Sequence, residues 1–219
     1  MKRSDENIAA TRRYGYYCAL ARALDQVGQR WTLLIVRELS AGSARFAQLR
    51  RVLPGIGATV LSARLEELQS NGLVETHDGY YHLTERGLAL QPALDALAIW
   101  GLDLMEDVGE DQVELHWLRL GLPALAVHRN KSLNASIELR ASGQAFHVDL
   151  HDGTLHTEDG HAPAPDAVIQ GPVTKLVGLA TGRTALDEPL IRVLGDNDVV
   201  NEFVRALRES LNQPATSTG

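Results

Sequence analysis

Residues 58–83 read ATVLSARLEELQSNGLVETHDGYYHL, and two periods meet inside them. Leu61, Leu65 and Leu68 fall at i, i+4 and i+7, one face of a helix over 58–71, and Gly72 is its natural stop. Beyond Gly72 the spacing tightens. Leu73-Val74-Glu75-Thr76 and Tyr80-Tyr81-His82-Leu83 flank an Asp78-Gly79 pair, the strongest short hairpin signal a sequence offers. Upstream, a short helix over 45–53 turns Phe46, Leu49 and Val52 inward. Pro54-Gly55-Ile56-Gly57 stop it by removing a backbone donor and supplying turn residues. Earlier still, Leu20, Leu24, Val27, Trp31 and Leu34 keep helical spacing across a break at Gly28, so residues 16–41 predict two consecutive helices.

Helix, helix, turn, helix, hairpin is the outline of a winged helix-turn-helix. Two short helices joined by a tight turn let the second lie in a major groove about 12 Å wide, while the hairpin reaches flanking backbone. On the helix over 58–71 the residues opposite the leucine stripe are Thr59, Ser62, Ala63 and Glu66. Thr59, Ser62 and Ala63, with Ala58 at the helix start, are the candidates for facing bases; Glu66 lies a turn further along, where the helix leaves the groove. Arg45, Arg50 and Arg51 are candidate phosphate-positioning charges. Arg64 flanks the apolar stripe within reach of backbone phosphate, and His77 is placed on the wing.

The run Cys18-Ala-Leu-Ala-Arg-Ala-Leu-Asp-Gln-Val-Gly-Gln-Arg-Trp-Thr-Leu-Leu-Ile-Val-Arg-Glu-Leu, followed by Arg45-Phe46, Leu53-Pro54-Gly55-Ile56, Leu61-Ser62-Ala63-Arg64-Leu65, Gly72-Leu73-Val74 and Leu83-Thr84, resembles the HxlR-type winged-helix transcriptional regulators over residues 16–101. The resemblance implies a homodimeric bacterial DNA-binding regulator whose recognition helix is the 58–71 segment. Gly57 stands where that family usually has a Ser or Thr cap, and Glu75 where its wing commonly carries a basic residue. The resemblance also implies a role for Cys18, because HxlR-type sensors of electrophiles and oxidants often use a cysteine at this position. Helical projection sets Cys18 away from Leu20, Leu24 and Val27, and Arg12 and Arg13 precede it, an arrangement that favours a thiolate.

Charge is distributed to match. The chain of 219 residues has a net charge of −7, yet residues 1–70 hold eleven basic against six acidic residues and residues 103–219 hold nine against eighteen. Opposed halves suggest different partners. A single cysteine excludes an intrachain disulfide framework, and no 18-residue apolar run or signal h-region is present, so a cytoplasmic location without a membrane partner is expected. Residues 86–108 read as one helix with two apolar stripes, Leu90, Leu94, Leu97, Gly101, Leu104 and Val108 beside Ala89, Ala93, Ala96 and Trp100. A helix apolar over more than one face predicts a subunit interface, and a two-fold dimer would read half-sites about 34 Å or a multiple apart.

The C-terminal half has another texture. Ile137 and Leu139, then Phe146, Val148 and Leu150, alternate with polar residues; Val168-Ile169 and Leu190-Ile191-Arg192-Val193 are further strand candidates. Two helices, over 172–181 and 197–211, complete the set. The expected fold is a mainly α N-terminal winged helix-turn-helix domain over 1–109, then a C-terminal α+β domain with a mostly antiparallel sheet over 110–212, and a disordered tail over 213–219. Through Val148-Asp149-Leu150, Asp152-Gly153, Asp166-Ala167-Val168-Ile169-Gln170-Gly171, Leu176, Gly182 and Val193-Leu194-Gly195-Asp196, this half resembles the sterol-carrier-protein-like lipid-binding fold. That resemblance implies an apolar ligand site lined by Trp117, Leu118, Leu122, Ile137, Leu139, Phe146, Val148, Leu176 and Leu179.

His147, Asp149 and His151 share one strand face, a pattern any solvated sheet face also shows, so no metal is expected. There is no GxSxG, P-loop or Rossmann fingerprint, and neither an enzyme nor a cofactor is expected. The reading is a dimeric, ligand-responsive DNA-binding repressor with double-stranded operator DNA, a second copy of itself and an apolar small-molecule effector as partners. Its alternatives are an apolar-ligand carrier whose winged helix mediates protein contacts and an electrophile- or redox-sensing regulator acting through Cys18.

Overall fold

The computed structural model describes residues 13–105, 113–125 and 133–211, in two compact units that divide between Leu94 and Asp95. The first unit begins with α1 (Ala19–Val27) and α2 (Thr32–Ser40), followed by α3 (Phe46–Val52) and α4 (Ala58–Ser70). α1 ends at Gly28, whose N–H donates to the Leu24 carbonyl. Trp31 enters α2 with φ of 78°, a conformation that bulky residues rarely adopt, and its ring abuts Gly55 in the turn before α4. Ile35, Val36, Leu39, Leu49, Leu61, Leu65, Leu68 and Leu73 form one buried cluster. Gly72 closes α4 in a left-handed conformation; Leu73 N–H reaches back to the Leu68 carbonyl and Gly72 N–H to Gln69, the paired bonds of a Schellman stop.

The hairpin follows as predicted. β1 (Val74–His77) and β2 (Tyr80–Leu83) pair antiparallel, with Asp78 and Gly79 both at positive φ, as a two-residue turn of matching twist requires. Ala44 and Tyr81 exchange backbone hydrogen bonds at 3.1 and 2.9 Å, so the α2–α3 loop adds a third rung beside the wing. Thr84 caps the short α5 (Glu85–Leu88), accepting from Gly87 N–H. Gly87 is buried against the Leu73 carbonyl, whose oxygen lies 2.2 Å from where a Cβ would stand.

Two expectations for this half change. Residues 86–108 are not one helix. α5 ends at Leu88 and α6 (Gln91–Gly101) restarts with Pro92 in its first turn, where a missing N–H costs nothing, before a short 3-10 turn at Leu102–Leu104. Val108 lies outside the described residues. The apolar stripe of α1 also does not point wholly inward: the helix buries Ala21 and Val27 but leaves Leu20 and Leu24 67% and 37% exposed.

The second unit is a five-stranded mixed sheet in the order β5 (Thr154–Asp159), β4 (Gln144–His151), β3 (Ala135–Ala141), β6 (Ala167–Gln170), β7 (Arg192–Gly195), with the β3–β6 pair parallel and the others antiparallel. α7 (Leu115–Leu125), α8 (Val173–Ala180) and α9 (Asn197–Leu211) bury Leu118, Leu122, Leu176, Phe203 and Leu207 with Ile137, Leu139, Phe146, Val148 and Ile169 of the sheet in one cluster. The sheet is mostly antiparallel, as expected. α7 and β5 are additions to the expected set, and the last strand starts at Arg192 rather than Leu190. α7 buries Leu115, Leu118, Leu122 and Leu125 at i, i+3, i+7 and i+10 and carries Pro123 near its C-terminal end; β5 is a polar edge strand. The tail over 213–219 lies outside the described residues.

On the sheet face turned from the helices, Glu138 is fully buried. It accepts from Arg140, from Ala162 N–H at 3.1 Å, and lies 2.7 Å from His161 Nδ1. Burial is the largest influence on this carboxyl and alone would raise its pKa, but the hydrogen bonds from Arg140, His161 and Ala162 with the Arg140 charge outweigh it and hold Glu138 below the ordinary carboxylate value. The Glu138 hydrogen bond in turn raises Arg140.

A depressed folded pKa means that the stabilisation is complete above the unfolded carboxyl's pKa, about 4.3, and is lost as pH falls through the lower folded value. Glu138→Gln is therefore expected to cost the second unit about 1–3 kcal/mol at pH 7 and markedly less near pH 3. Chemical denaturation at the two pH values checks this, and an equal loss at both would contradict it.

Candidate nucleic-acid interface

Burying Leu61, Leu65 and Leu68 fixes the rotation of α4, and the opposite edge follows. Thr59, Ala63 and Glu66 are exposed, Ser62 is half-buried, and Ala58 is exposed at the helix start. Gly57 is the N-cap, in extended conformation, and supplies no side-chain acceptor. The first-turn N–H groups of α4 therefore end in a small, unobstructed surface, where an added Cβ at Gly57 would meet nothing within 4 Å.

The arginines divide by environment. Arg50 and Arg51 are exposed in the last turn of α3. Arg45 is the N-cap of α3; its N–H donates to Gln48 Oε1 at 2.7 Å and its guanidinium sits 4.4 Å from the Tyr80 ring, so it links α3 to the wing. Arg64, expected within reach of phosphate, is paired with Glu67 one turn on, and its side chain is only 14% exposed. His77 is exposed at the end of β1, 3.5 Å from Glu75, with its ring 5.8 Å from that of His82. Gln69 Nε2 donates to Thr76 Oγ1 at 2.9 Å and joins the wing to the far end of α4.

Arg86 escaped the sequence reading. Its guanidinium donates to the Asn71 carbonyl at 2.9 Å and to Gln26 Oε1 at 2.7 Å, clamping the C-terminal end of α4 to α1. Its signal was present as the sole basic residue between 71 and 102.

Cys18 is exposed as the N-cap of α1. Arg12 lies outside the described residues. In the second unit, Leu118, Leu122, Ile137, Leu139, Phe146, Val148, Leu176 and Leu179 pack together in the core, while Trp117 is half-buried and not part of that cluster. A cavity of about 420 Å³ in this unit lies elsewhere, between residues 185–187 and α9, where Leu186, Val204 and Arg208 line it. His147 is buried with Asp149 at 3.4 Å and Glu158 at 3.8 Å, while His151 is exposed. Among the described residues no group of three or more His, Cys, Asp or Glu is arranged to hold a metal ion, and no helix is long and apolar enough to cross a membrane.

Residues 26–108 match the family described as HxlR-like helix-turn-helix. The chain is 34% identical over 100 residues to the HTH-type transcriptional regulator sll1512 of Synechocystis sp., covering 42% of this chain and 73% of that protein. It is 37% identical over 92 residues to YvaP of Bacillus subtilis, another HTH-type transcriptional regulator, covering 39% and 85%. Among solved structures it is similar to quinone-bound YodB from B. subtilis, at 35% identity and a TM-score of 0.37, over 39% of this chain and 97% of that one. It is similar also to the redox regulator HypR in its oxidized form, at 31% identity and a TM-score of 0.38, over 42% and 100%.

A missing cap acceptor can be restored. Gly57→Ser is expected to stabilise the first unit by a few tenths of a kcal/mol, read as a higher denaturation midpoint with an unchanged slope.

Proposed function

Because the chain belongs to the HxlR-like helix-turn-helix family, we propose that it is a dimeric, ligand-responsive repressor that holds operator DNA with α4 and answers to an apolar small molecule. The observation that carries the reading is the outward edge of α4 formed by the small residues Thr59, Ser62 and Ala63, held by the buried leucines behind it. Base edges meet that edge; Arg45, Arg50 and Arg51 position the backbone, Arg64 flanks it, and His77 meets the duplex from the wing. The domain boundaries that accompany the reading are 1–109 for DNA binding and dimerisation and 110–212 for the effector. We assign the effector domain a sterol-carrier-like role, supported by the helices α7, α8 and α9 packed on one face of its sheet. The effector acts by binding one arrangement of the paired recognition helices better than another. Electrophile sensing through the exposed thiol of Cys18 is the second reading.

Dimerisation through α6 and α1 is supported by their exposed apolar side chains. No residue of α6 is buried, and Leu97, Trp100 and Leu20 are 50%, 67% and 67% exposed. Each helix, within its own unit, exposes an apolar face of the kind that supports an interaction site.

Two measurements test the proposal. Arg51→Ala is expected to weaken binding to every duplex alike and to lower the slope of log affinity against log salt by about 1, whereas Thr59→Ala with Ser62→Ala is expected to cost about 1–3 kcal/mol on the operator alone. Binding that no salt change affects, or no duplex binding at all, would favour a carrier. Leu97→Glu is expected to convert a dimer to a monomer in sedimentation analysis while leaving the circular dichroism unchanged; a monomeric parent chain would refute the dimer.

A further inference from the structure

At the C-terminal end of α4, a cavity of about 290 Å³ is lined by Glu67, Ser70 and Asn71, by Arg22, Asp25 and Gln26 of α1, and by Arg13 and Gln29. Its size matches roughly ten water molecules, and every residue lining it is polar or charged. The carboxylates there are already engaged. Asp25 Oδ1 accepts from Tyr14 N–H at 2.9 Å, and Glu67 accepts from Arg64. Gln26 Oε1 accepts from Arg86, and Asn71 Nδ2 reaches the Gln26 carbonyl at 3.5 Å.

The cations are less committed. Arg22 reaches its nearest carboxylate, Asp25, only at 4.0 Å with half its side chain exposed, and Arg13 is exposed. Two guanidiniums lining one polar hollow suit an oxyanion, which each can grip with paired N–H donors.

We propose that this cavity binds a small oxyanion, a dicarboxylate or a phosphate, between Arg13 and Arg22. Its lining comes from both α1 and α4, so an occupant bridges the helix that carries Cys18 and the helix that carries the groove-facing edge. Occupancy then reinforces the tie that Arg86 already makes between α4 and α1. The site is separate from the apolar effector proposed above. Its coupling to DNA rests on the DNA-binding reading, whereas the binding itself does not.

The test uses the full chain without DNA, titrated with succinate or with inorganic phosphate at constant ionic strength, chloride serving as the control anion. Saturable shifts confined to amides of α1 and the last turn of α4 are expected for at least one probe, weakened about tenfold or more in Arg22→Gln and unchanged in Arg208→Gln, which alters the other cavity. Succinate alone points to a carboxylate and phosphate alone to a phosphoryl group. Shifts that chloride reproduces, no saturation with either probe, or undiminished binding by Arg22→Gln overturn the site. In a parallel duplex titration the saturating probe is expected to change affinity by about fivefold or more. Saturable binding with an unchanged duplex affinity overturns the coupling. Saturable binding by a chain that binds no duplex supports the site and refutes the regulator reading instead.

Discussion

The burial of Leu61, Leu65 and Leu68 is the constraint on which the DNA-binding unit depends. All three are at most 1% exposed, and each is worth about 1.5–3 kcal/mol of transfer from water. A helix has no freedom to roll once three side chains of one stripe are locked among Ile35, Leu49 and Leu53. Chemistry on the opposite edge is thus positioned by hydrophobic packing behind it. The polar residues there need no partners of their own to point outward, which leaves their hydrogen-bonding capacity available to a ligand.

Polar ties then secure what packing has oriented. Arg86 holds one end of α4 to α1, Gln69 holds it to the wing, and the exchange between Ala44 and Tyr81 holds the wing to the α2–α3 loop. The neutral hydrogen bonds among them are modest interactions, about 1 kcal/mol each. Together they tie α4 to α1 and to the hairpin, and the hairpin to the α2–α3 loop. The second unit uses the same division of labour: an apolar sheet face under three helices, and one buried carboxylate with its donors on the other face.

The first unit was largely legible because its signals are local. A leucine stripe at i, i+4, i+7, a proline-glycine stop and an Asp-Gly turn each depend on neighbours within a few residues. What stayed hidden depends on distance or on competing local signals. α7 does carry a local stripe, Leu115, Leu118, Leu122 and Leu125, but the proline at 123 reads as a helix stop. β5 reads as polar because it is an edge strand. Glu138 falls at a position that alternation marks as solvent-facing, and the approach of His161 and Ala162 to hydrogen-bond distance comes from more than twenty residues away. Arg64 shows the opposite failing: Glu67 at i+3 was visible, and the pairing it implies competes with a role toward phosphate.

Gly87 has a consequence beyond its own turn. The hydrogen it carries in place of a methyl group lets α5 rest on the Leu73 carbonyl, and Thr84 bonds the neighbouring Gly72 carbonyl at 2.7 Å. The trajectory on which the chain leaves the wing and enters α6 is thereby set by a missing atom. Drift in sequence has no way to enlarge that one position without prising the exit path off its seat.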